Sequence, residues 1–168
     1  LIVTVGLLIY VSEPKPQEEE IETPAAELSI AFLDIGQGDA TFIEFGDGTQ
    51  MLIDCAIDAR IIESLGNVMD FYDRVIDYLV VTHPDLDHYG GCTDVLNRFD
   101  VKTIIHNGDA KSGERWKEYW FAMHDEGAEI ILLEEQQVWD IASTTIHCMY
   151  PDHNLSQDTR IPGAEKDT

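Results

Sequence analysis

Residues 75–82 read VIDYLVVT, an almost unbroken apolar run that ends on the polar stretch HPDLDHYGG at 83–91. This run limits the fold more than any other feature. A half-exposed strand alternates apolar with polar residues, whereas a continuous apolar strand needs cover on both faces. Layered α/β architecture supplies that cover, and open α/β sheets place their chemistry where strands end in polar loops. Here the strand delivers His83, Asp85, Asp87 and His88 in quick succession. Pro84 fixes its own φ and stiffens the loop, and Gly90-Gly91 allow a sharp backbone turn straight after it.

The rest of the chain fits an α/β pattern. LSIAFLDIG (28–36) puts Leu28, Ile30 and Phe32 on one face of a strand. Apolar runs at 40–45 and 50–54 flank GDGT, and Asp-Gly is a strong hairpin signal. DARIIESLG (58–66) reads as a short helix stopped by Gly66, and CTDVLNRF (92–99) as another. VKTIIHN (101–107), AEIILLEE (128–135) and TTIHCMY (144–150) read as strands. In GERWKEYWFAMHDEG (113–127), Trp116, Tyr119, Trp120 and Met123 recur at helical spacing and Gly127 ends the run. Such a stripe is a core-packing face rather than a ligand platform. From Pro151 the chain is polar and aperiodic. The order β, β-hairpin, α, β, α, β, α, β, β predicts helices covering a largely mixed sheet.

Three regions follow. Residues 1–11, LIVTVGLLIYV, are too few to cross a bilayer alone, since about 20 are needed. They read as the end of a transmembrane anchor or signal segment, with a buried strand or helix as the alternative. Residues 12–27, rich in Pro and Glu, form an acidic tether. The folded domain takes 28–168. Ten Lys+Arg against 33 Asp+Glu leave a net charge of −23, which argues against a general nucleic-acid binder with a basic face. It leaves open an enzyme that meets phosphate through a bound dication. Cys55, Cys92 and Cys148 are far apart and form no CxxC pair. They read as small core residues, with one bridge and one free thiol as the open alternative.

Imidazole and carboxylate together suit zinc, manganese, iron or cobalt. His83 and Asp85, two apart in an extended loop, share a side, while Asp87 and His88 diverge. That geometry serves two metals, one held by His83 and Asp85, the other by Asp87 and His88. Such a pair holds a hydroxide and neutralises charge on an ester or phosphoryl oxygen. The opposing reading is a solvated Asp-rich loop with His88 starting a helix.

THPDLDHYGG resembles the metallo-β-lactamase signature His-x-His-x-Asp-His, with Asp85 in place of the second His. Together with FLDIGQGDATFIEF (32–45) and MLIDCA (51–56), it resembles the metallo-β-lactamase-like domain of ComEC-type DNA-uptake proteins. The resemblance covers 28 to about 150. It implies a four-layer αββα sandwich, a dinuclear site of two divalent ions (Zn or Mn), and hydrolysis of phosphodiester bonds, with single-stranded DNA or another phosphodiester substrate as the partner. His83, Asp85, Asp87 and His88 take the ligand roles, and Asp87 also orients the attacking water. Asp34, Gln37 and Asp39 lie at the edge of the site, where the two Asp also suit turn caps. Asp54 either orients a ligand imidazole or forms a turn. The family's Gly-Gly is Cys55-Ala56 here, and its later Gly-Asp pair and His-His-Gly-Ser run do not occur, so the chain reads as the first half of that fold. His106, His124, His147 and His153 match no family position and read as structural or solvated. Of these, His106, at a strand end, is nearest in context to a ligand.

Three functions follow from this reading. The first is a membrane-anchored, extracytoplasmic nuclease of the DNA-uptake type in bacteria. The second is a hydrolase of an ester, lactam or cyclic nucleotide. The third is a tethered binding domain without chemistry.

Overall fold

The computed structural model describes residues 27–153. The expected anchor and most of the tether lie outside the described residues. Among those described, no helix is long and apolar enough to cross a membrane.

Strand β1 (Ser29–Phe32) pairs antiparallel with β2 (Thr41–Glu44), which pairs antiparallel with β3 (Gln50–Ile53). The Asp-Gly signal works as expected at the β2–β3 turn. Gly48 takes φ 88°, and the Asp47 carboxylate accepts the Thr49 N–H at 3.0 Å. From β3 the sheet turns parallel. Helix α1 (Arg60–Leu65) leads to β4 (Val75–Val81), and helices α2 (Leu86–Tyr89) and α3 (Cys92–Leu96) lead to β5 (Asp100–His106). Helix α4 (Glu114–Asp125) then leads to β6 (Glu129–Leu132). The spatial order is β1-β2-β3-β4-β5-β6, with no strand out of sequence.

That order decides where the helices go. Parallel crossovers are right-handed, so three of them stepping the same way across a sheet stack their helices on one face. The main core lies there: Phe42, Leu52, Leu79 and Ile104 from the strands meet Ile61, Leu65, Val95, Tyr119 and Met123 from the helices. Leu52, Leu79 and Ile104 are fully buried, and each contributes about 1.5–3 kcal/mol. The opposite face is partly covered by a hairpin of β7 (Gln137–Ile141) and β8 (Thr144–Cys148), whose Ile141 and Ile146 pack on Phe45, Met51, Tyr78 and Val80. The central strand β4 is therefore covered on both sides, as its apolar run requires.

Some expectations need correction. Strand β7 was not foreseen. Its two-residue turn is Ala142-Ser143, with Ala142 at φ 53°, so the Gly or Asn that marks such turns is missing. Gly66 ends α1 in a right-handed conformation, not the left-handed one that glycine usually supplies. Gly90 and Gly91 are also right-handed. They are small because backbone passes them: a Cβ on Gly91 would lie 2.3 Å from the Cys55 carbonyl oxygen. Cys55 and Cys92 are not merely small core residues but form a disulfide, leaving Cys148 free.

The β1–β2 connection presses on α2 at Gly38. This residue has φ 98°, and a Cβ there would lie 1.9 Å from the Asp87 carbonyl oxygen. Gly48 has a similar φ and open space around it. The left-handed cost therefore cancels between Gly38→Ala and Gly48→Ala, and only the clash differs. We expect Gly38→Ala to lose about 2 kcal/mol more than Gly48→Ala in equilibrium urea unfolding. Equal losses would show that the loop is free to lift off α2.

Candidate metal centre

The site forms where β3 and β4 end side by side. Asp54 follows β3 directly and is buried, at 3% exposure. Its φ is 59°, a left-handed conformation that Asp tolerates better than most residues. Its N–H donates to the Val80 carbonyl at 2.8 Å, and its carboxylate accepts three hydrogen bonds. The Thr82 N–H reaches Oδ1 at 2.9 Å. The Thr82 hydroxyl and His88 Nδ1 both reach Oδ2, at 2.7 and 2.8 Å.

These contacts fix both imidazoles. The Thr82 hydroxyl spends its one proton on Asp54, so at 2.9 Å from His83 Nδ1 it can only accept. Each ring thus donates from Nδ1, and a neutral ring that does so keeps its lone pair on Nε2. Those lone pairs face oxygens: His83 Nε2 lies 3.3 Å from Asp85 Oδ2, and His88 Nε2 lies 3.7 Å from Asp39 Oδ2. Lone pair against carboxylate is repulsive unless a proton or a cation stands between. The two ring centroids lie 3.9 Å apart. A divalent ion between the donors of each pair makes that contact favourable. Two donors bound to a tetrahedral ion at ~2.0 Å sit roughly 3.3 Å apart, which matches the His83–Asp85 spacing. The donor set fits a divalent metal. Among the described residues no three such side chains converge on one point, so the donors stand as two pairs.

Helix α2 shapes this arrangement. Asp85 occupies its N-cap position in an extended conformation but makes no side-chain cap. Its carboxylate turns instead to His83 and to Lys111, which lies in the β5–α4 loop. The Lys111 hydrogen bond, reinforced by its charge and by the two imidazoles, holds the Asp85 carboxyl below its ordinary range. Below α2, Tyr89 packs edge-on against Trp116 at 4.9 Å and near Tyr119 at 5.6 Å, so the aromatic stripe of α4 is the seat of the helix. Burial, and then the nearby Asp54 charge, push the Tyr119 phenol far above its usual range.

The other candidate residues divide. Asp39 stands against His88, and its N–H donates to the Asp87 carbonyl at 3.2 Å. The Asp87 side chain is half-buried and has no hydrogen-bond or ion-pair partner among the described residues; His88 turns to Asp39 instead. Asp34 and Gln37 are exposed on the same loop. The Asp34 carbonyl accepts from the Ser64 hydroxyl at 2.7 Å, and the Gln37 N–H donates to the Ile35 carbonyl. Sequence reasoning missed Thr82, Lys111 and Asn107, whose amide donates to the Thr82 carbonyl at 2.8 Å. No local pattern marks them; parallel pairing of β4 with β5 brings their loops together.

His106 accepts the Gly108 N–H on Nδ1 and sits near Trp120. His124 Nδ1 donates to the Trp120 carbonyl at 2.8 Å. His147 is exposed on β8, and His153 is exposed beside Asp152.

The mixed sheet thus carries imidazole and carboxylate donors on the loops after β1, β3 and β4, an arrangement suited to divalent metal. Residues 33–161 match the family model of the metallo-beta-lactamase superfamily, and the chain belongs to that superfamily. Its members are typically metal-dependent hydrolases. No curated protein matches the chain.

Two predictions follow from the geometry. Asp54→Ala leaves three donors unpaired and puts Ala in a left-handed position. We expect a loss of about 3 kcal/mol in urea unfolding, with a smaller loss for Asp54→Asn. A loss under about 1 kcal/mol for Asp54→Ala would rule out the carboxylate as the organiser of these loops. The second concerns His106, whose pKa is lowered by burial and then by His124. A base with a depressed folded pKa contributes stability above its unfolded value of 6.5 and loses it as pH falls through the folded value. The stability difference between wild type and His106→Gln should therefore shrink below pH 6.5. A difference flat from pH 8 to about 5 would contradict this.

Proposed function

We propose that this domain cleaves phosphodiester bonds with the help of bound divalent metal, as a hydrolase of the DNA-uptake type that its motifs resemble. One observation carries the metal reading: both imidazoles are held through Nδ1 with Nε2 turned to carboxylate oxygens. His83 with Asp85 would hold one ion, and His88 with Asp39 or Asp87 a second. The ions, when bound, supply a hydroxide at neutral pH and neutralise charge on the scissile group. Asp54 keeps His88 in its ligating tautomer, and Asp87, with its carboxylate unengaged, orients the attacking water.

The choice of phosphodiester rests on the His-x-Asp-x-Asp-His variant beside FLDIGQGDATFIEF. Lys111, a cation beside the donors, also suits an anionic substrate. We place the domain outside the cytoplasm of a bacterium, tethered to the membrane by residues upstream of the fold. The Cys55–Cys92 bridge supports this placement, because such bonds persist in oxidising compartments.

The test is a substrate panel with metal replacement: a single-stranded oligonucleotide, bis(p-nitrophenyl) phosphate, a cyclic nucleotide and a chromogenic β-lactam. We expect the two phosphodiesters to be cleaved and chelator to abolish turnover. Manganese should serve at least as well as zinc, because Asp85 hardens the site. His88→Ala should lose about 100-fold or more. Turnover of the lactam alone would sink the phosphodiester reading. DNA binding without turnover under any divalent ion would favour a binding domain.

A further inference from the structure

The Cys55–Cys92 disulfide lies at the site and not in a remote part of the core. Cys55 directly follows Asp54, and Cys92 begins α3 four residues after His88. Both cysteines are fully buried. The loop that carries Cys55 is conformationally demanding: Asp54 and Ala56, on either side, take φ 59° and 62°. The same loop is hydrogen-bonded to the ligand-bearing turn. The Cys55 N–H donates to the His88 carbonyl at 2.6 Å, the Ala56 N–H to the Asp39 carbonyl at 3.0 Å, and the Gly91 N–H to the Ala56 carbonyl at 3.2 Å. Four backbone and side-chain links, from Asp54, Cys55 and Ala56, thus join one short loop to the segments carrying His88 and Asp39. The disulfide is the covalent member of that set.

We propose that the Cys55–Cys92 bridge is a positioning element of the metal centre: it keeps a left-handed, glycine-free loop seated against the α2–α3 corner, so that Asp54 holds His88 in its ligating orientation. This rests on the metal reading of the site. With no glycine at 54–56, the covalent tie and these hydrogen bonds hold the loop in its left-handed conformation. The same tie makes the centre sensitive to redox state. A dithiol reductant that breaks the S–S bond takes up the linkage as its own disulfide and leaves two thiols, and the loop is then held by hydrogen bonds alone. Metal competence is thereby coupled to an oxidising environment.

The test compares wild type with Cys55→Ala/Cys92→Ala and with Val101→Ala. Val101 is buried at the start of β5, the end of the strand away from the site. Two readouts are used on each folded protein. One is zinc and manganese affinity by calorimetry; the other is the ring ¹⁵N pattern of His88 in the metal-free protein, which reports the tautomer. We expect the double variant to lose tenfold or more in metal affinity and to show a mixed His88 tautomer. Val101→Ala should lose thermal stability while keeping both readouts. If the double variant does not fold, wild type treated with reductant under native conditions takes its place, with free thiols counted by alkylation and mass. Wild-type affinity and an unchanged tautomer without the bridge would overturn the proposal. So would an equal affinity loss in Val101→Ala, since that marks general destabilisation. Retained binding without the bridge, together with loss of binding in His88→Ala, would overturn the positioning role and leave the metal reading intact. Absence of metal binding in wild type would overturn both.

Discussion

The carboxylate of Asp54 is the interaction on which the site depends. A buried carboxylate without partners costs several kcal/mol, so the fold must bring donors to it. It brings three, from two segments: the Thr82 N–H and hydroxyl at the end of β4, and the His88 ring on α2. Since β3 and β4 are parallel neighbours, their ends emerge side by side, and one carboxylate can tie them. The tie also sets chemistry. By taking the Thr82 proton, Asp54 obliges Thr82 to accept from His83, so a single acid fixes the tautomer of two imidazoles.

Topology supplies the frame for that tie. A sheet whose strands follow chain order directs its right-handed crossovers to one face, and α1 to α4 stack there. The α2–α3 corner then meets the aromatic stripe of α4, where Tyr89 is caught between Trp116 and Tyr119. His88 precedes Tyr89 in the same turn, so apolar packing holds its backbone from below while Asp54 holds its ring from the side. The hairpin β7–β8 takes the face that no crossover reaches.

Much of this is legible in the sequence, for identifiable reasons. β4 is legible because its apolar run admits only a strand covered on both faces. α4 is legible because Trp116, Tyr119 and Met123 keep helical spacing through to a left-handed Gly127. The hairpin β2–β3 declares itself through Asp-Gly. β7 does not, because its turn uses Ala142 in a conformation usually taken by Gly or Asn. α2 was hidden because one turn of helix following Pro84 has no period to read. The ligand candidates could be identified, but not their pairing. His88 meets Asp39, a contact between segments far apart in the chain, and Lys111 reaches Asp85 from across β5. Cys55 and Cys92 lack any spacing signal, and only the fold brings them together.

Charge explains why so much of the structure is devoted to holding these groups still. Asp39, Asp54, Asp85 and Asp87 crowd two imidazoles in a chain of net charge −23, and repulsion alone would spread them. Lys111 offsets part of it at Asp85. The rest is borne by backbone: Gly38 lets the Asp39 loop press on α2, the Asp54–Ala56 loop is pinned by hydrogen bonds, and the disulfide ties that loop to α3. Donors held together against their own repulsion have already met the cost of ordering, so a cation that enters gains the full attraction of the cluster. Under the phosphodiester function proposed above, the same acid excess that repels a phosphate from the bare domain would retain the dication that lets the phosphate approach.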